Sequence, residues 1–508
     1  MKYPSFPQKD SEEYKLQRLL EIIPGLLTWG TLIGAVIFSF FLPVAVAVLV
    51  IFYDLYWLIR TVIISAHSIL GYSRMRRAMR QDWLKRCRDL GKRDGLDLDN
   101  VYHLIIIPYY KEGLEILEPS IRSITESSYP LKNVVISISC EERAGATACS
   151  YQNELKEKYG SVFKAFLTNI HPILEDEMKI KAANANWAAK RGVEYLEQQG
   201  IPVDHVIVSN FDCDTCVHSQ YLAATTCYFL KSRKRYRESW QPLPVYNNNI
   251  WDTNAIVRVI EISSSFWQMI ESTRPERLIT FSSHSMSLRA LLDVGYWQRD
   301  VISDDSAIFW QCYIYYDGDY RTVPLYIPVS MDATLSTSFW KTTANQYLQK
   351  RRWAYGIENF PRIARAFIRN KKIPLIEKIR HLFIMIEGHY SWATASFLIM
   401  LLGWLPLIIG GSKFNETVIA HNLPITTRNI LMAAMFGLAI SLCLSLFMLP
   451  PKPKKYSRFK YIVMFAQWLI VPIIAPIMGS LPAVDAQTRL MLGKHFQASW
   501  VSEKVRKK

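Results

Sequence analysis

The chain has 508 residues, of which 50% are hydrophobic and only 20% are charged. This length exceeds that of one ordinary domain, and this composition excludes an intrinsically disordered protein. Lysine and arginine outnumber aspartate and glutamate by 60 to 44, which gives a formal net charge of +16. Apolar runs of membrane-spanning length lie within residues 22–66 and 382–482, so a soluble enzyme, a coiled coil and a disulfide scaffold are excluded.

The first part of the chain reads as a short mixed-charge segment, 1–21, followed by membrane helices. Pro43 interrupts the apolar block 22–66, which predicts two transmembrane helices joined by a tight turn. One very long tilted helix is the alternative. The linker 67–99 is rich in arginine and lysine, and the positive-inside rule therefore predicts that this end is cytosolic. Residues 100–358 are long enough to form a separate cytosolic domain.

Within that domain, short apolar runs alternate with helical patterns. Continuous apolar runs at 101–108, 133–140 and 205–209 are typical of buried parallel strands, with helical patterns at 114–126 and 181–190. This alternation predicts an α/β domain with a mostly parallel sheet, in which a ligand binds at the carboxyl ends of the strands. Carboxylates that follow strand ends are Glu112, Glu141, Asp212 and Asp214. Their clustering indicates an active site.

Asp212 and Asp214 are the first of three motifs that carry chemistry. Two carboxylates at this spacing after a buried strand can hold one hard cation together with a bound diphosphate. A solvated loop is the alternative for an isolated Asp-x-Asp. Cys213 and Cys216 form a CxxC, but no second cysteine pair stands nearby to complete a zinc site. The eight cysteines show no regular spacing, which favours reduced thiols.

The second and third motifs lie further along the domain. Asp304 and Asp305 precede a helical pattern, where a carboxylate can cap the helix or act as a general base. Gln349, Arg352 and Trp353 lie together on a predicted helix. Arginine there offers a cation for phosphate, and tryptophan offers a flat surface for a sugar ring. A solvated or membrane-facing helix surface is the alternative for this third motif.

The last part of the chain is again membrane-related. Residues 359–381 alternate apolar residues with arginine and lysine, which predicts an amphipathic interfacial helix, with a solvated basic face as the alternative. Residues 382–482 predict about three transmembrane or re-entrant segments, the last interrupted by Pro472 and Pro476. The tail 483–508 is basic. The positive charge favours membrane lipids and anionic substrates as partners, and no nucleic-acid-binding motif is present.

The three motifs, in this order and between membrane helices, resemble the membrane-embedded family 2 glycosyltransferases related to cellulose, chitin and hyaluronan synthases. Asp212 and Asp214 match the family's D-x-D element, and Asp304 and Asp305 match its TED or GDD element. The most specific match is the Q-x-x-R-W element, which consists here of Gln349, Arg352 and Trp353. The resemblance covers roughly residues 100–360 and implies a GT-A type, Rossmann-like fold for the cytosolic domain.

The resemblance also implies a role for each site residue. Asp305 would be the catalytic base with Asp304 beside it, and Asp212 and Asp214 would hold Mg²⁺ or Mn²⁺. The residues expected to bind the donor nucleotide are Tyr110, Glu112, Glu141, Lys181 and Asp212. Those expected to hold the diphosphate or the acceptor are Gln349, Arg352 and Trp353. The family normally has aspartate where Glu141 and Glu142 stand here, which leaves open which of the two contacts the nucleotide.

The implied activity is that of an inverting glycosyltransferase, EC 2.4 type, which uses a nucleotide diphosphate sugar and a glycan or lipid-linked acceptor. Processive polysaccharide synthesis is favoured over single transfer to a lipid, and an accessory export subunit is left open. The expected location is a plasma or inner membrane, multi-pass, with the catalytic domain cytosolic. A transporter or a catalytically dead scaffold are the alternatives from other classes. Residues 500–504 resemble the gating-loop motif of cellulose synthases, with Ser502 in place of threonine.

Overall fold

The computed structural model describes residues 2–174, 177–496, 498 and 505–506. The tail segment compared above with a gating loop, 500–504, lies outside these residues. The strands in the described part of the chain are β1 (Tyr102–Tyr109), β2 (Val134–Glu141), β3 (Ala165–His171), β4 (Val206–Asn210), β5 (Cys216–Val217), β6 (Glu238–Tyr246), β7 (Ser285–Ser287) and β8 (Arg321–Met331).

These strands form one mixed, mostly parallel sheet in the order β3-β2-β1-β4-β7-β6-β8-β5. β1 pairs in parallel with β2 and β4, and β2 pairs in parallel with β3. The short strand β7 runs antiparallel to both β4 and β6, whereas β6 and β8 are parallel to each other. The predicted α/β class with a mostly parallel sheet is therefore confirmed.

The α-helices of the described residues fall before, within and after this sheet. Before it come α1 (Glu12–Phe41), α2 (Pro43–Arg80) and α3 (Trp83–Asp89). Those within the domain are α4 (Leu114–Thr125), α5 (Ala146–Tyr159), α6 (Lys181–Gln198), α7 (Tyr221–Lys231), α8 (Ala255–Ser272), α9 (Leu288–Val294), α10 (Asp304–Tyr315), α11 (Phe339–Ala354) and α12 (Asn359–Arg369). After it come α13 (Leu375–Phe397), α14 (Leu405–Ile409), α15 (Gly411–Asn415), α16 (Val418–Phe447), α17 (Phe459–Ala466), α18 (Val471–Ile474) and α19 (Leu481–Met491).

β1 is continuously apolar because helices cover both faces of the sheet around it. Leu104 and Ile106 pack in one core with the alanine-rich face of α6, while Ile105 and Ile107 pack in a second core with α4. A Cβ atom at Gly192 of α6 would lie 2.6 Å from Leu104 Cδ1, so this glycine permits the close approach of α6 to the strand. Because β1 pairs in parallel with β2 and β4, the carboxyl ends of these three strands lie at one edge of the sheet.

Four helical segments are long and apolar enough to cross a membrane, judged by length and composition over the described residues. They are Glu12–Phe41, Pro43–Arg80, Val418–Phe447 and Phe459–Met491. Their apolar windows are mostly exposed in the structure, which is what helices surrounded by lipid require. α13 is not among the four, because its first half carries charged residues such as Glu377 and Arg380.

The stretch 359–381, for which the sequence predicts an interfacial helix, contains α12 and the start of α13. α12 is largely buried, and its Arg362 and Arg365 donate hydrogen bonds to the backbone oxygens of Pro4 and Ser5. The N-terminal segment therefore packs against α12. By contrast, the first two turns of α13 expose apolar side chains. The division of the chain into membrane and cytosolic parts stays a prediction.

Candidate active site

All of the site residues predicted from the sequence line one pocket at the carboxyl ends of the parallel strands. The pocket has a volume of about 210 Å³. Tyr110 and Glu112 follow β1, and Glu141 ends β2. The other predicted residues in its lining are Lys181, Asp212, Asp214, Asp304, Asp305, Gln349, Arg352 and Trp353. Segments up to about 240 residues apart in sequence, from β1 to α11, therefore meet at this pocket.

Lys181 lines the pocket and contacts two of its predicted carboxylates. Its Nζ is 2.6 Å from Asp212 Oδ1 and 3.3 Å from Asp305 Oδ1. Burial alone would lower the pKa of Lys181, but the facing carboxylates, Asp212 first, raise it above its ordinary value. The Lys181 ammonium therefore joins the D-x-D loop to the helix that carries the predicted base. Lys181 can occupy this position because it is the first residue of α6.

The D-x-D loop is held by neighbouring strands and serines. Ser282 Oγ donates a hydrogen bond to Asp212 Oδ2, and the Asp332 backbone N–H donates to Asp214 Oδ2 over 2.9 Å. Asp214 is 1% exposed, whereas the side chain of Asp212 is 24% exposed. Carboxylate oxygens in one pocket are the donor set that Mg²⁺ and Mn²⁺ prefer, so the residues present fit such an ion.

No group of three or more His, Cys, Asp or Glu side chains within the described residues surrounds a point where an ion could sit. The two aspartates would therefore supply only part of the coordination shell of a metal, as is common when Mg²⁺ is bound together with substrate phosphates. Cys213 and Cys216 are thiols in the structure, and the described residues provide no zinc cluster around them.

The predicted base lies at the start of α10. Asp304 is 5% exposed and its Oδ2 has no hydrogen-bond partner among the described residues. Burial, together with the adjacent Asp305 carboxylate, raises the pKa of Asp304 to about 7. The Asp305 side chain is 23% exposed, and its Oδ1 lies 3.9 Å from His284 Nδ1. Asp305 is thus the more accessible of the two carboxylates, and Asp304 is the more deeply buried.

The third motif lies on α11 and faces the same pocket. Thr334 Oγ1 donates a hydrogen bond to Gln349 Oε1, which fixes the amide. The Trp353 ring packs against Tyr246 with a centroid distance of 5.5 Å and meets Phe281 edge-on at 6.3 Å. Lys350 Nζ lies 4.6 Å from the centroid of the same ring. Trp353 thus lines the pocket with a ring that is held in place by the neighbouring side chains.

The side predicted to bind the nucleotide is formed by the loops after β1 and β2. The Tyr110 backbone N–H donates to Glu112 Oε2 over 2.8 Å, and the Arg143 guanidinium lies 4.5 Å from the Tyr110 ring centroid. Glu141 lines the pocket and pairs with Arg143. Glu142 instead accepts a hydrogen bond from the Ile173 backbone N–H over 3.1 Å. Of the two glutamates, Glu141 is therefore the one that lines the pocket.

Sequence reasoning missed Asp332, a carboxylate that also lines the pocket. It follows β8, its side chain is fully buried, and it accepts hydrogen bonds from Arg506 Nη2 at 2.6 Å and Asn248 Nδ2 at 2.8 Å. A carboxylate directly after a strand end is the same signal that found Asp212. The signal was hidden because Pro324 and Pro328 make β8 read poorly as a strand.

Glu358 and Asn359, which follow the α11 motif, were also missed. Glu358 Oε1 accepts hydrogen bonds from the backbone N–H groups of Ile302 at 2.7 Å and Ser303 at 2.9 Å, and from Ser303 Oγ. Asn359 Nδ2 donates to Ser303 Oγ and Ser306 Oγ. Since Ser303 directly precedes Asp304, these contacts tie the junction between α11 and α12 to the start of α10. No local sequence signal marks them.

The cysteine prediction needs a correction beside this pocket. The sequence favours reduced thiols throughout, but Cys140 and Cys149 form a disulfide in the structure. Cys140 lies near the end of β2 and Cys149 in the first turn of α5, where the Cα atoms come within 5.3 Å. The apolar context of these cysteines did not predict the pairing. The two residues are nine positions apart, and they meet because of the fold of the loop between them, which carries Glu141.

Comparison with known proteins gives structural matches only, since no family model and no curated protein matches the sequence. The mannosyltransferase PcManGT of Pyrobaculum calidifontis, in complex with GDP-Man and Mn²⁺, matches with 16% identity and a TM-score of 0.39, over 81% of this chain and 99% of that one. S. aureus TarS in complex with UDP-GlcNAc matches with 10% identity and a TM-score of 0.37, over 67% and 90%. GalNAc-T7 with UDP, GalNAc and Mn²⁺ matches with 9% identity and a TM-score of 0.32, over 60% and 59%.

Proposed function

We propose that this protein is a membrane-associated glycosyltransferase with a GT-A type domain, of family 2 and inverting, which uses a nucleotide diphosphate sugar. The observation that carries the proposal is the position of Lys181. Its ammonium bridges Asp212 of the D-x-D loop and Asp305 of the base helix, 2.6 Å and 3.3 Å away. The positive charge of Lys181 thus lies between two carboxylates in one pocket. A donor diphosphate and an acceptor hydroxyl would meet there.

The donor side of the pocket suits a nucleotide followed by a diphosphate. The Tyr110 ring, covered by the Arg143 guanidinium, offers a stacked surface for a base, and Glu141 offers a hydrogen-bond acceptor. Lys181 and Arg352 supply the cations that a diphosphate requires. Asp212 and Asp214 would hold Mg²⁺ or Mn²⁺, which when bound neutralises charge on the leaving diphosphate.

The acceptor side suits a sugar whose hydroxyl attacks the anomeric carbon. Asp305 takes the hydroxyl proton while the oxygen bonds to the anomeric carbon, and the bond from that carbon to the diphosphate breaks. The electron pair leaves with the diphosphate. Lys181 orients the Asp305 carboxylate toward the pocket, and Trp353 provides a flat surface for the acceptor ring. A single displacement of this kind inverts the anomeric centre.

The helices on both sides of the domain support a processive enzyme that extends a polysaccharide across the membrane. Arg60 of α2 pairs with Glu387 of α13, and the Tyr390 hydroxyl lies 3.0 Å from the Thr31 hydroxyl of α1. Thr31 and Arg60 lie on α1 and α2, two of the four candidate spans, and polar or ionisable side chains on such helices face a polar path or the bundle interior more often than lipid. Single transfer to a lipid-linked acceptor at the cytosolic face is the competing proposal for the same pocket.

The first experiment is release of nucleotide by the purified full-length protein from a panel of UDP- and GDP-sugars, with and without Mn²⁺. We expect one donor to be hydrolysed in a metal-dependent way. A transporter or a dead scaffold would release no nucleotide from any donor in the panel, and that result would overturn the proposal. The Lys181→Met variant keeps the length of the side chain without its charge and should lose this activity.

The second experiment is product length after reaction with excess donor in proteoliposomes. When the catalytic domain faces the outside of the vesicle, a processive enzyme extrudes its polymer into the lumen. Glycosidases added outside the vesicle then cannot digest that polymer. A product with one added sugar, exposed on the catalytic side, would refute extrusion and favour single transfer. Product length separates the two proposals because both use the same donor pocket and the same base.

A further inference from the structure

The N-terminal segment, residues 3–6, reaches the interior of the domain near α10, the helix that begins with the two predicted carboxylates. The Tyr3 side chain is 7% exposed and belongs to the same hydrophobic core as residues of α6 and α10. Its hydroxyl donates a hydrogen bond of 2.8 Å to Oδ1 of Asn359, the first residue of α12. Burial raises the pKa of the Tyr3 phenol, so the hydroxyl keeps the proton that it donates.

The Asn359 amide connects Tyr3 to the residues that flank the two carboxylates. Its Nδ2 donates hydrogen bonds to Ser303 Oγ over 2.9 Å and to Ser306 Oγ over 3.2 Å. Ser303 directly precedes the pair Asp304–Asp305, and Ser306 directly follows it. Each serine hydroxyl donates its own proton elsewhere and can therefore accept from the amide. Asn359 is 1% exposed, so its amide depends on these protein partners, and Tyr3 supplies the donor to its oxygen.

Two buried arginines of α12 hold the backbone of the N-terminal segment. Arg365 Nη2 donates a hydrogen bond to the Ser5 carbonyl over 2.9 Å, and Arg362 Nη1 lies 3.5 Å from the Pro4 carbonyl oxygen. Arg365 is 1% exposed and Arg362 is 4% exposed. Taking hydrogen-bond partners away from a buried charge costs free energy, so these contacts favour the docked position of the segment.

Asp300 joins the same segment to the loop before α10. Its Oδ2 accepts hydrogen bonds from the Phe6 backbone N–H over 3.3 Å and from Arg362 Nη1 over 2.7 Å. Its carbonyl oxygen accepts a third from Arg362 Nη2 over 2.8 Å. Asp300 lies four residues before Asp304. The segment therefore contacts the start of α10 by two routes, through Asn359 and through Asp300.

The position of this helix start matters for the proposed reaction. A general base must lie within hydrogen-bond reach of the proton that it takes, and a misplacement of about 1 Å can cost about 10²-fold in rate. From the side of the pocket, Lys181 Nζ lies 3.3 Å from Asp305 Oδ1, and Thr280 Oγ1 donates to the Asp305 carbonyl over 2.6 Å. The N-terminal segment supports the same helix start through residues behind it.

We propose that the N-terminal segment positions the predicted base, and that the Tyr3 hydroxyl does so through Asn359. Tyr3 acts through another residue, so it is a positioning residue rather than a catalytic one. The inference rests on the function proposed above, because that proposal makes Asp305 the base. Loss of the Tyr3 hydroxyl leaves Asn359 Oδ1 without its donor, and the amide is then less firmly held against the two serines.

The first test is the kinetics of Tyr3→Phe in the purified full-length protein, because this change removes only the hydroxyl. We expect kcat for glycosyl transfer to fall by about tenfold, the effect of losing one buried hydrogen bond, with donor KM within about twofold. Tyr14→Phe is the matched control. The Tyr14 ring meets Phe6 edge-on at 6.2 Å, its hydroxyl makes no hydrogen bond within the described part of the chain, and kcat should be unchanged.

A kcat within about twofold of the unmodified value in Tyr3→Phe would overturn the proposal, and so would equal losses of kcat and donor affinity. The route through the amide is tested by a double-mutant cycle with Asn359→Ala. In that background Tyr3→Phe should have no further effect on kcat, because the hydroxyl has lost the group through which it acts. Independent, additive losses would overturn the role of Asn359.

Hydrogen–deuterium exchange of Tyr3→Phe needs no turnover and remains informative if Asn359→Ala does not fold. Exchange should become about tenfold faster in residues 300–310 and stay unchanged in residues 109–113, the loop after β1. Unchanged exchange in 300–310, or faster exchange in both regions, would overturn the proposal. If the unmodified protein turned over no donor, the proposed function would fail, and the exchange result would still decide whether Tyr3 holds the start of α10.

Discussion

The proposed donor half and the proposed acceptor half of the pocket are held in place by different kinds of contact. The donor half follows β1, β2 and β4, whose register is set by parallel backbone pairing such as His103 opposite Val134. The proposed acceptor half lies on α10 and α11, and side chains of the turn after α11, such as Glu358, contact the start of α10. Residues of the first half are positioned by the sheet, whereas those of the second depend on a few polar contacts.

These two kinds of support predict where in the pocket a substitution should be tolerated. A strand end is supported by a ladder of backbone hydrogen bonds, so a single side-chain change near it should alter chemistry without moving the backbone. A helix start held by one buried carboxylate can shift when that carboxylate is removed.

The largest effect is expected at Asp305 in the acceptor half. Asp305→Asn keeps the shape of the side chain but cannot accept a proton, so kcat should fall by about 10²–10⁴-fold. Donor affinity, measured by titration calorimetry with the active nucleotide sugar and metal, should stay within about twofold. Activity above about one percent in this variant would contradict the assignment of Asp305 as the base.

The next effect is expected at Asp214 in the donor half. Asp214→Ala removes a carboxylate predicted to hold the metal, and metal-dependent donor binding should fall by about 10²-fold or more. Cys213→Ser, one residue away, is the matched control and should bind donor normally. Stoichiometric zinc in the purified protein, lost in Cys213→Ser together with activity, would instead favour a zinc site.

The sequence predicts the donor half well because local rules govern it. The predicted strands 101–108 and 133–140 differ from β1 and β2 by one residue at each end. Asp332 was not predicted because two prolines make β8 unlike a strand in sequence. The Cys140–Cys149 disulfide was not predicted because it depends on how α5 packs against β2. The acceptor half is less predictable. Glu358 and Ser303 are 55 residues apart in sequence, and neither local sequence contains a motif that predicts their contact.

Substitution of Glu358 tests the proposed acceptor half directly. We expect Glu358 to be a positioning residue that acts through Ser303. Glu358→Ala removes the acceptor of three hydrogen bonds, so α10 should shift and kcat should fall by about tenfold, with donor KM unchanged. Glu358→Gln keeps an oxygen that can accept the same bonds and should restore most of kcat. If both variants lose kcat and donor affinity equally, Glu358 supports the fold in general rather than the base.

The last prediction concerns Asp304, the buried neighbour of the predicted base, and it separates stability from catalysis. Burial raises the pKa of Asp304 to about 7, so the folded protein keeps this proton at pH values where the unfolded chain has lost it. The folded state therefore binds more protons between about pH 4 and pH 7, and its free energy of unfolding falls as pH rises through that window. Above pH 7 the folded protein carries the full cost of a buried carboxylate.

Asp304→Asn removes this titration, so the variant should gain stability relative to the unmodified protein as pH rises. The relative gain should be smallest near pH 4 and should reach on the order of 2–4 kcal/mol at pH 8, at about 1.4 kcal/mol per pKa unit. The measurement is apparent Tm in detergent with a chelator present, from pH 4 to pH 8. A Tm difference that is constant across this range would mean that Asp304 is ionised throughout. Because Asp304 is not the proton acceptor proposed here, Asp304→Asn should also keep far more activity than Asp305→Asn, and the reverse order would exchange the roles of the two carboxylates.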